Sequence, residues 1–210
     1  MVIILFGAPG VGKGTIGNLL SKDLKIPLVS TGDILRRNVK EATELGSEAK
    51  SFMEKGALVP DEIIIKMMQE EIFRLKGGFI LDGFPRTFNQ VKELENAMGN
   101  NSYDVINLKT EDDLLIKRLS NRRICRNCGA IYHLINIPPE RKGICDKCGG
   151  PLYQREDDRE DVVKERLALF HTKAQPITDY YQEKGILRNV DASLPLQKII
   201  DLIKDDSYQE

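Results

Sequence analysis

Val2 to Phe6 is an uninterrupted apolar run, the pattern of a strand buried on both faces of a parallel sheet. After a glycine-rich stretch, "KGTIGNLLSKDL" sets Ile16, Leu19, Leu20 and Leu24 at helical spacing. Short apolar runs recur at "IPLVS", "GGFILD", "YDVINL" and "GILRNV", each separated from the next by at least one helical pattern. In "DEIIIKMMQEEIFRL", residues 61 to 75, Ile64, Met67, Met68, Ile72 and Leu75 share one face. Five strands alternating with helices predict a doubly wound α/β sheet, in which ligands lie in the crevice beyond the carboxyl ends of the strands.

Two stretches break the rhythm. Residues 30–59 read as two helices with no strand, a helical insertion between the second and third strands. Residues 122–159 are turn-rich and hold all four cysteines, a second insertion between two long helical patterns. The expected organisation is a core of 1–29, 60–121 and 160–210 carrying those two insertions. Only the tail "DDSYQE" looks loosely held.

Composition narrows the partners. A chain of 210 residues, 41% hydrophobic and 30% charged, can bury a substantial core, and its net charge of -1 gives no basic footprint for nucleic acid or an anionic membrane. "MVIILF" lacks the basic leader and length of a signal peptide, and no later apolar run approaches ~20 residues. A cytoplasmic protein is expected, with nothing demanding more than a monomer. In that reducing setting, four cysteines within 24 residues suggest a metal site before a disulfide frame.

Three motifs carry chemistry. "GAPGVGKGT", Gly7 to Thr15, joins the first strand to a helix, so backbone N–H groups and the helix N-terminus face into the loop, and Lys13 supplies an ammonium for outer phosphates. It departs from the common phosphate loop by placing Gly14 where a hydroxyl is usual, with Thr15 one position late. "LDGFPRTFNQ" follows the third strand: Asp82 is placed for a hydrated magnesium ion, and Arg86 offers a planar fork for phosphate oxygens. Cys125-x2-Cys128 and Cys145-x2-Cys148, each pair followed by glycine, form two knuckles whose four sulfurs complete a closed tetrahedral shell, best suited to structural zinc. A redox pair or iron uses similar spacing. His133 and His171 read as structural or surface residues, and Arg123, Arg126 and Arg159 as parts of a solvated, charge-rich face.

"GAPGVGKGT", "STGDILR", "GALVPDE", "DGFPRT" with Gln90, "RRICRNCG", "QREDD" and "VVKERL" stand in this order and spacing in adenylate kinases of the long type, which carry a zinc-bearing lid. The chain resembles that family over nearly its whole length. The resemblance implies a five-stranded core with a small nucleoside-monophosphate insertion and a lid, and Mg-dependent reversible transfer from ATP to AMP, giving two ADP. It implies that Gly10, Val11, Gly12, Lys13, Gly14 and Thr15 wrap the ATP phosphates. Thr31 and Arg36 would meet AMP, with the backbone of Ala57, Leu58 and Val59 near its base and ribose. Gly83, Phe84, Pro85 and Arg86 would line the AMP phosphate, and Gln90 would read the adenine edge. Arg122 and Ile131 with Tyr132 would contact ATP on the lid side, while Arg118, Arg155 and Arg166 would close over the phosphates. Leu194 would touch adenine through its backbone, although "VDASL" has Ala192 where the family usually has glycine.

Phosphoryl transfer needs alignment and electrostatic stabilisation and no histidine or carboxylate base, which agrees with the wealth of arginines. Two alternatives stay open on sequence: a kinase for UMP or CMP, or one using GTP as donor; and a nucleotide-gated nucleic-acid binder reading through a zinc ribbon. Against the latter stand the neutral charge and the lack of interleaved basic and aromatic residues.

Overall fold

A computed structural model describes residues 1–55, 57–75, 77–99 and 101–205. Gly56 of "GALVPDE" and the last five residues of the "DDSYQE" tail lie outside the described residues.

The apolar runs form a parallel sheet. Its strands are β1 (Val2–Gly7), β2 (Leu28–Ser30), β3 (Phe79–Asp82), β4 (Asp104–Lys109) and β8 (Leu187–Asp191), in the order β2-β3-β1-β4-β8. Period-two alternation divides β1 between two layers: Val2, Ile4 and Phe6 enter one hydrophobic cluster, Ile3 and Leu5 the other. The first layer holds α2 (Thr31–Lys40), α4 (Asp61–Phe73) and α5 (Phe88–Met98), and the second α1 (Lys13–Leu24), α6 (Asp112–Ser120) and α8 (Leu196–Lys204). The long α7 (Glu160–Glu183) serves both: Val163 and Leu167 pack in the second cluster, Ile177 and Tyr181 in the first, with Pro176 near the changeover.

The faces read from the sequence are the buried ones. Ile16 and Leu20 of α1 and Ile64, Met67 and Met68 of α4 are buried, while Leu19, Leu24, Ile72 and Leu75 pack at the cluster margins. After β1 the chain moves outward to β2, returns to β3, and then crosses to β4 on the other side of β1. This reversal opens a crevice at the carboxyl end of β1, where the glycine loop and Asp82 emerge side by side.

Residues 30–59 contain the end of β2, then α2 and α3 (Glu44–Glu54). Thr43 caps α3 by accepting from the Gly46 N–H at 3.1 Å, and its hydroxyl donates to Asn38 Oδ1 at 2.8 Å. Gly46 is needed for contact: a Cβ there would lie 2.2 Å from the Asn38 carbonyl oxygen of α2.

The cysteine segment has more order than its composition predicts. It contains an antiparallel sheet, β6-β5-β7, from Arg122–Cys125 (β5), Ile131–His133 (β6) and Leu152–Tyr153 (β7), and ends in a 3₁₀ turn at Glu156–Asp158. Strands of two to four residues leave almost no periodicity to detect. Among the described residues, no helix is long and apolar enough to cross a membrane.

Gly46→Ala is expected to lower stability by about 1–3 kcal/mol, the usual cost of forcing atoms into a packed contact. Urea denaturation would show this as a lower midpoint at unchanged slope; an unaltered midpoint would mean that the α2–α3 contact does not belong to the cooperative fold.

Candidate active site

The glycine loop is bent by its surroundings as much as by its own residues. Gly7 has φ +137°, and a Cβ there would meet the Leu108 carbonyl oxygen at 2.5 Å; Gly10 has φ +84°, and its Cβ would strike Leu119 of α6 at 2.7 Å. The loop is thereby wedged against β4 and α6. Gly12, in the left-handed region, precedes α1, and Lys13 is the first helical residue. Its ammonium donates to the carbonyls of Gly7 and Ala8, each at 2.8 Å, so the loop latches on itself. Gly14 faces Asp82: a Cβ at Gly14 would lie 3.4 Å from the carboxylate, and Ser30 Oγ donates to that same carboxylate at 3.4 Å. Glycine therefore leaves the approach to Asp82 clear. Thr15 is exposed at the start of α1.

Arg118, on core helix α6, spans two loops, donating to the carbonyls of Val11 at 3.4 Å and Ala192 at 3.1 Å. Arg166 is likewise a core residue, on α7. Of the four arginines expected around the phosphates on the lid side, only Arg122 and Arg155 sit in the cysteine segment. Leu194 packs at the margin of the second hydrophobic cluster.

Beyond β3, Gly83 at φ +79° turns the chain, and its carbonyl accepts from Arg86 Nε at 2.7 Å. A side chain at Gly83 would meet the Arg86 guanidinium at 2.6 Å. Phe84 and Pro85 are buried. Gln90 is 2% exposed, with both ends of its amide occupied: Oε1 accepts from the Arg86 N–H at 2.8 Å, and Nε2 donates to Asp61 at 2.7 Å. Across the crevice, Thr31 is buried with its hydroxyl 3.4 Å from the Met68 sulfur, while Arg36 is paired with Asp33 at 2.5 Å. Ala57 is exposed and Val59 buried, with Leu58 between these extremes.

The 3₁₀ turn holds the arginine array. Asp158 is fully buried and accepts a two-point fork from Arg122, at 2.8 Å from Nε and 2.6 Å from the terminal nitrogen. Arg166 reaches the Asp157 carboxylate at 2.8 Å and Asp158 at 3.8 Å. Arg155 Nε is buried without a hydrogen-bond partner among the described residues. Asp61, Asp157 and Asp158 were not singled out from sequence. "QREDDRED" reads as surface charge, and nothing in a string of acids marks which one is buried.

The charges converge. Desolvation by burial brings Lys13 down to about 8, with Asp82 opposing and Arg86, Arg166 and Arg122 adding repulsion. Arg86 is lowered by desolvation within the cleft and then by Arg166; its outer face still meets water. Burial also lowers Arg166, and brings Arg155 to about 10, with Arg36 and Arg122 contributing to the latter. Cations from the glycine loop, the loop between β3 and α5, α2, α7 and the cysteine segment thus feel one another across a single crevice, an arrangement suited to anionic ligands.

In the cysteine segment, the Cys125 and Cys148 sulfurs are 3.4 Å apart and those of Cys128 and Cys145 3.6 Å, with all four within 4.8 Å of one another. A tetrahedral zinc with bonds of about 2.3 Å needs sulfurs about 3.8 Å apart, so the four side chains fit that ion. The ring of Tyr132 is buried beside them, its hydroxyl 3.4 Å from Cys145 Sγ and accepting from the Asp146 N–H at 2.8 Å, whereas Ile131 is half exposed. His133, opposite Arg122 in the β5–β6 pair, accepts at Nδ1 from the backbone N–H groups of Ile135 and Asn136, and His171 pairs with Asp112. Arg126 lies over the Tyr153 ring and Arg159 pairs with Asp161 at the surface.

Similarity agrees with this geometry. A profile of the adenylate kinase family matches residues 5–186. The chain is 52% identical to an adenylate kinase of Caldicellulosiruptor bescii over 192 residues, 89% of each chain. It is 46% identical to that of Bacillus licheniformis over 210 residues (98% of this chain, 97% of the other) and 48% identical to that of Staphylococcus aureus over 210 residues (98% and 96%). A glycine loop facing a second, arginine-bearing loop, and similarity along nearly the whole chain, lead to one assignment: the chain belongs to the adenylate kinase family.

Proposed function

We propose that the chain catalyses reversible transfer of the terminal phosphoryl group of ATP to AMP, giving two ADP, and so balances the adenine nucleotide pool. The observation that carries this reading is the convergence of Lys13, Arg86, Arg122, Arg155 and Arg166 on one crevice, with Arg155 Nε buried and lacking a hydrogen-bond partner among the described residues. Such a group awaits an external acceptor.

In this reading the backbone from Gly10 to Thr15 cradles the ATP phosphates, and Lys13 leaves the Gly7 and Ala8 carbonyls to follow the transferring group. Arg86 holds the AMP phosphate from the opposite wall, and Gly83, Phe84 and Pro85 shape the loop that positions it. Thr31, Arg36 and the backbone of Ala57, Leu58 and Val59 enclose AMP, with Gln90 against the base. Because the transition state spreads charge over the moving oxygens, a fixed array of donors stabilises it without a proton-transfer base. The attacking AMP phosphate is largely ionised near neutral pH, its second pKa being about 6. Asp82, a hard oxygen donor with Ser30 beside it, would hold the water shell of the magnesium that accompanies ATP and offsets phosphate charge.

The division into a core of 1–29, 60–121 and 160–210, an AMP-binding insertion at 30–59 and a lid at 122–159 belongs to the same proposal. Arg122, Arg155, Ile131 and the backbone of Tyr132 come down with the lid, and Arg118 and Arg166 meet them from the core; Leu194 lies on the adenine side of ATP. Closure excludes water, which would otherwise accept the phosphoryl group. Cys125, Cys128, Cys145 and Cys148 would hold structural zinc, whose charge and four bonds tie the small lid together. The enzyme would act in the cytoplasm as a monomer, with ATP, AMP and ADP as its partners and neither nucleic acid nor membrane required. The near-neutral charge supports this.

With MgATP and each nucleoside monophosphate in turn, diphosphate formation is expected with AMP, and Arg86→Ala should slow it ~10²-fold or more. Turnover of UMP but not AMP would overturn the reading. Phosphate binding favours the charged form of Lys13, so kcat/KM for ATP should fall as pH rises through about 8. In kcat, that limb should move to higher pH, because bound phosphates raise the lysine pKa. Lys13→Met should remove the limb and cost ~10²-fold in rate; a limb that survives in the variant belongs to another group. Zinc chelation or Cys125→Ser should lower the melting temperature by about 5 °C or more while sparing most activity at low temperature. Immediate loss of activity at unchanged melting would instead assign the metal to catalysis.

A further inference from the structure

Asp61 is the first residue of α4, two positions beyond Val59, where the chain leaves the helical insertion. Its two carboxylate oxygens are used separately. One accepts from Gln90 Nε2 at 2.7 Å, and the other accepts from the Thr87 hydroxyl at 2.7 Å. Thr87 Oγ1 in turn accepts from the Gln90 N–H at 3.2 Å, capping α5, and Gln90 Oε1 accepts from the Arg86 N–H at 2.8 Å. The four residues form a closed circuit in which no polarity can be reversed, because a carboxylate only accepts and a backbone N–H only donates. Were the Gln90 amide turned over, its oxygen would face the Asp61 carboxylate and its NH₂ group would face the Arg86 N–H. Both contacts would become repulsive.

A glutamine free to flip presents either polarity to a ligand and so cannot tell a base from its mirror in donors and acceptors. Here the amide keeps one N–H and one lone pair that no described residue uses, in a fixed order. The six-membered edge of adenine offers a ring-nitrogen acceptor beside an exocyclic amino donor; hypoxanthine and guanine offer a ring N–H donor beside a carbonyl acceptor. One fixed amide complements the first pair and opposes the second.

We infer that Asp61 is a specificity-determining positioning residue: it locks the orientation of the Gln90 amide, and that lock makes the monophosphate site choose 6-amino over 6-oxo purines. The inference rests on the proposal that Gln90 lies against the base. It goes beyond that proposal by placing the discrimination in a residue that need not touch the nucleotide. Rejection of this kind is steep, because the wrong base leaves buried polar groups unpaired.

The test compares kcat/KM for AMP with that for inosine monophosphate, which has hypoxanthine and the same ribose phosphate. Asp61→Asn preserves size and can still bond Gln90, but its own amide flips, so turnover of the Gln90 amide is then opposed by the Arg86 N–H alone. This variant is expected to reduce the AMP-to-IMP preference about tenfold, with KM for ATP and the melting temperature close to those of the parent; tenfold corresponds to about 1.4 kcal/mol, within the range for one hydrogen bond. Gln90→Ala is the companion measurement. Preference lost in Gln90→Ala but intact in Asp61→Asn would overturn the lock and leave the base-reading glutamine standing. Preference intact in both would remove Gln90 from the base altogether. An equal fall for both substrates together with a lowered melting temperature would make Asp61 a structural residue only, and would also overturn the inference.

Discussion

Gathering several cations out of water is the constraint on which this site depends. Keeping Lys13 charged where it sits costs about 3 kcal/mol relative to water, most of it desolvation and part of it the nearby arginines. A loose chain would relieve that cost by swinging the side chains apart. The fold forbids it by rooting each cation in a different, well-packed element: Lys13 at the start of α1, Arg86 on a loop pinned by its own Nε bond to Gly83, Arg118 on α6 and Arg166 on α7. The sheet with two hydrophobic layers is thus the source of rigidity, and the crevice at its strand ends is where that rigidity is spent.

Three carboxylates keep the array from flying apart, and each stands at a boundary. Asp82 faces Lys13 from the neighbouring strand, while Asp157 and Asp158 occupy the turn between the cysteine segment and α7. Asp158 binds one arginine from each side of that turn, Arg122 from β5 and Arg166 from α7. Being fully buried, it would be costly to leave unpaired, so the turn is held in register by a charge that cannot let go of both partners at once.

The parts of this design visible in the sequence are those governed by local rules. Each of the five apolar runs became a strand: burial on both sheet faces demands continuity of apolar residues in β1, whereas β2 and β8 at the sheet edges each bury a single valine. The glycine loop was legible from its strand-to-helix setting, and the cysteines from spacing alone. The strands of the cysteine segment were not visible, since two to four residues cannot display a period; there the order comes from pairing and from the sulfur cluster. Nor were the roles of Asp61 and Asp158 visible. Each acts on a residue 29 or 36 positions away, and a single acidic side chain in a polar stretch carries no mark of the partner that folding will bring to it. The ring of Tyr132 teaches the same lesson from the other side: the motif gave its position, and only the structure gave its inward direction.

The latch of Lys13 on the carbonyls of Gly7 and Ala8 has a kinetic meaning. A lysine left dangling over an open loop would give its whole interaction energy to the arriving nucleotide, which would then be slow to leave. In the proposed reading the ammonium would exchange these two acceptors for phosphate oxygens, and on product departure it would have somewhere to return. The loop thereby carries its own competitor, a built-in occupant of weak affinity that tempers nucleotide binding in both directions. For a reaction that runs either way between similar di- and triphosphates, such tempering suits turnover better than tight capture.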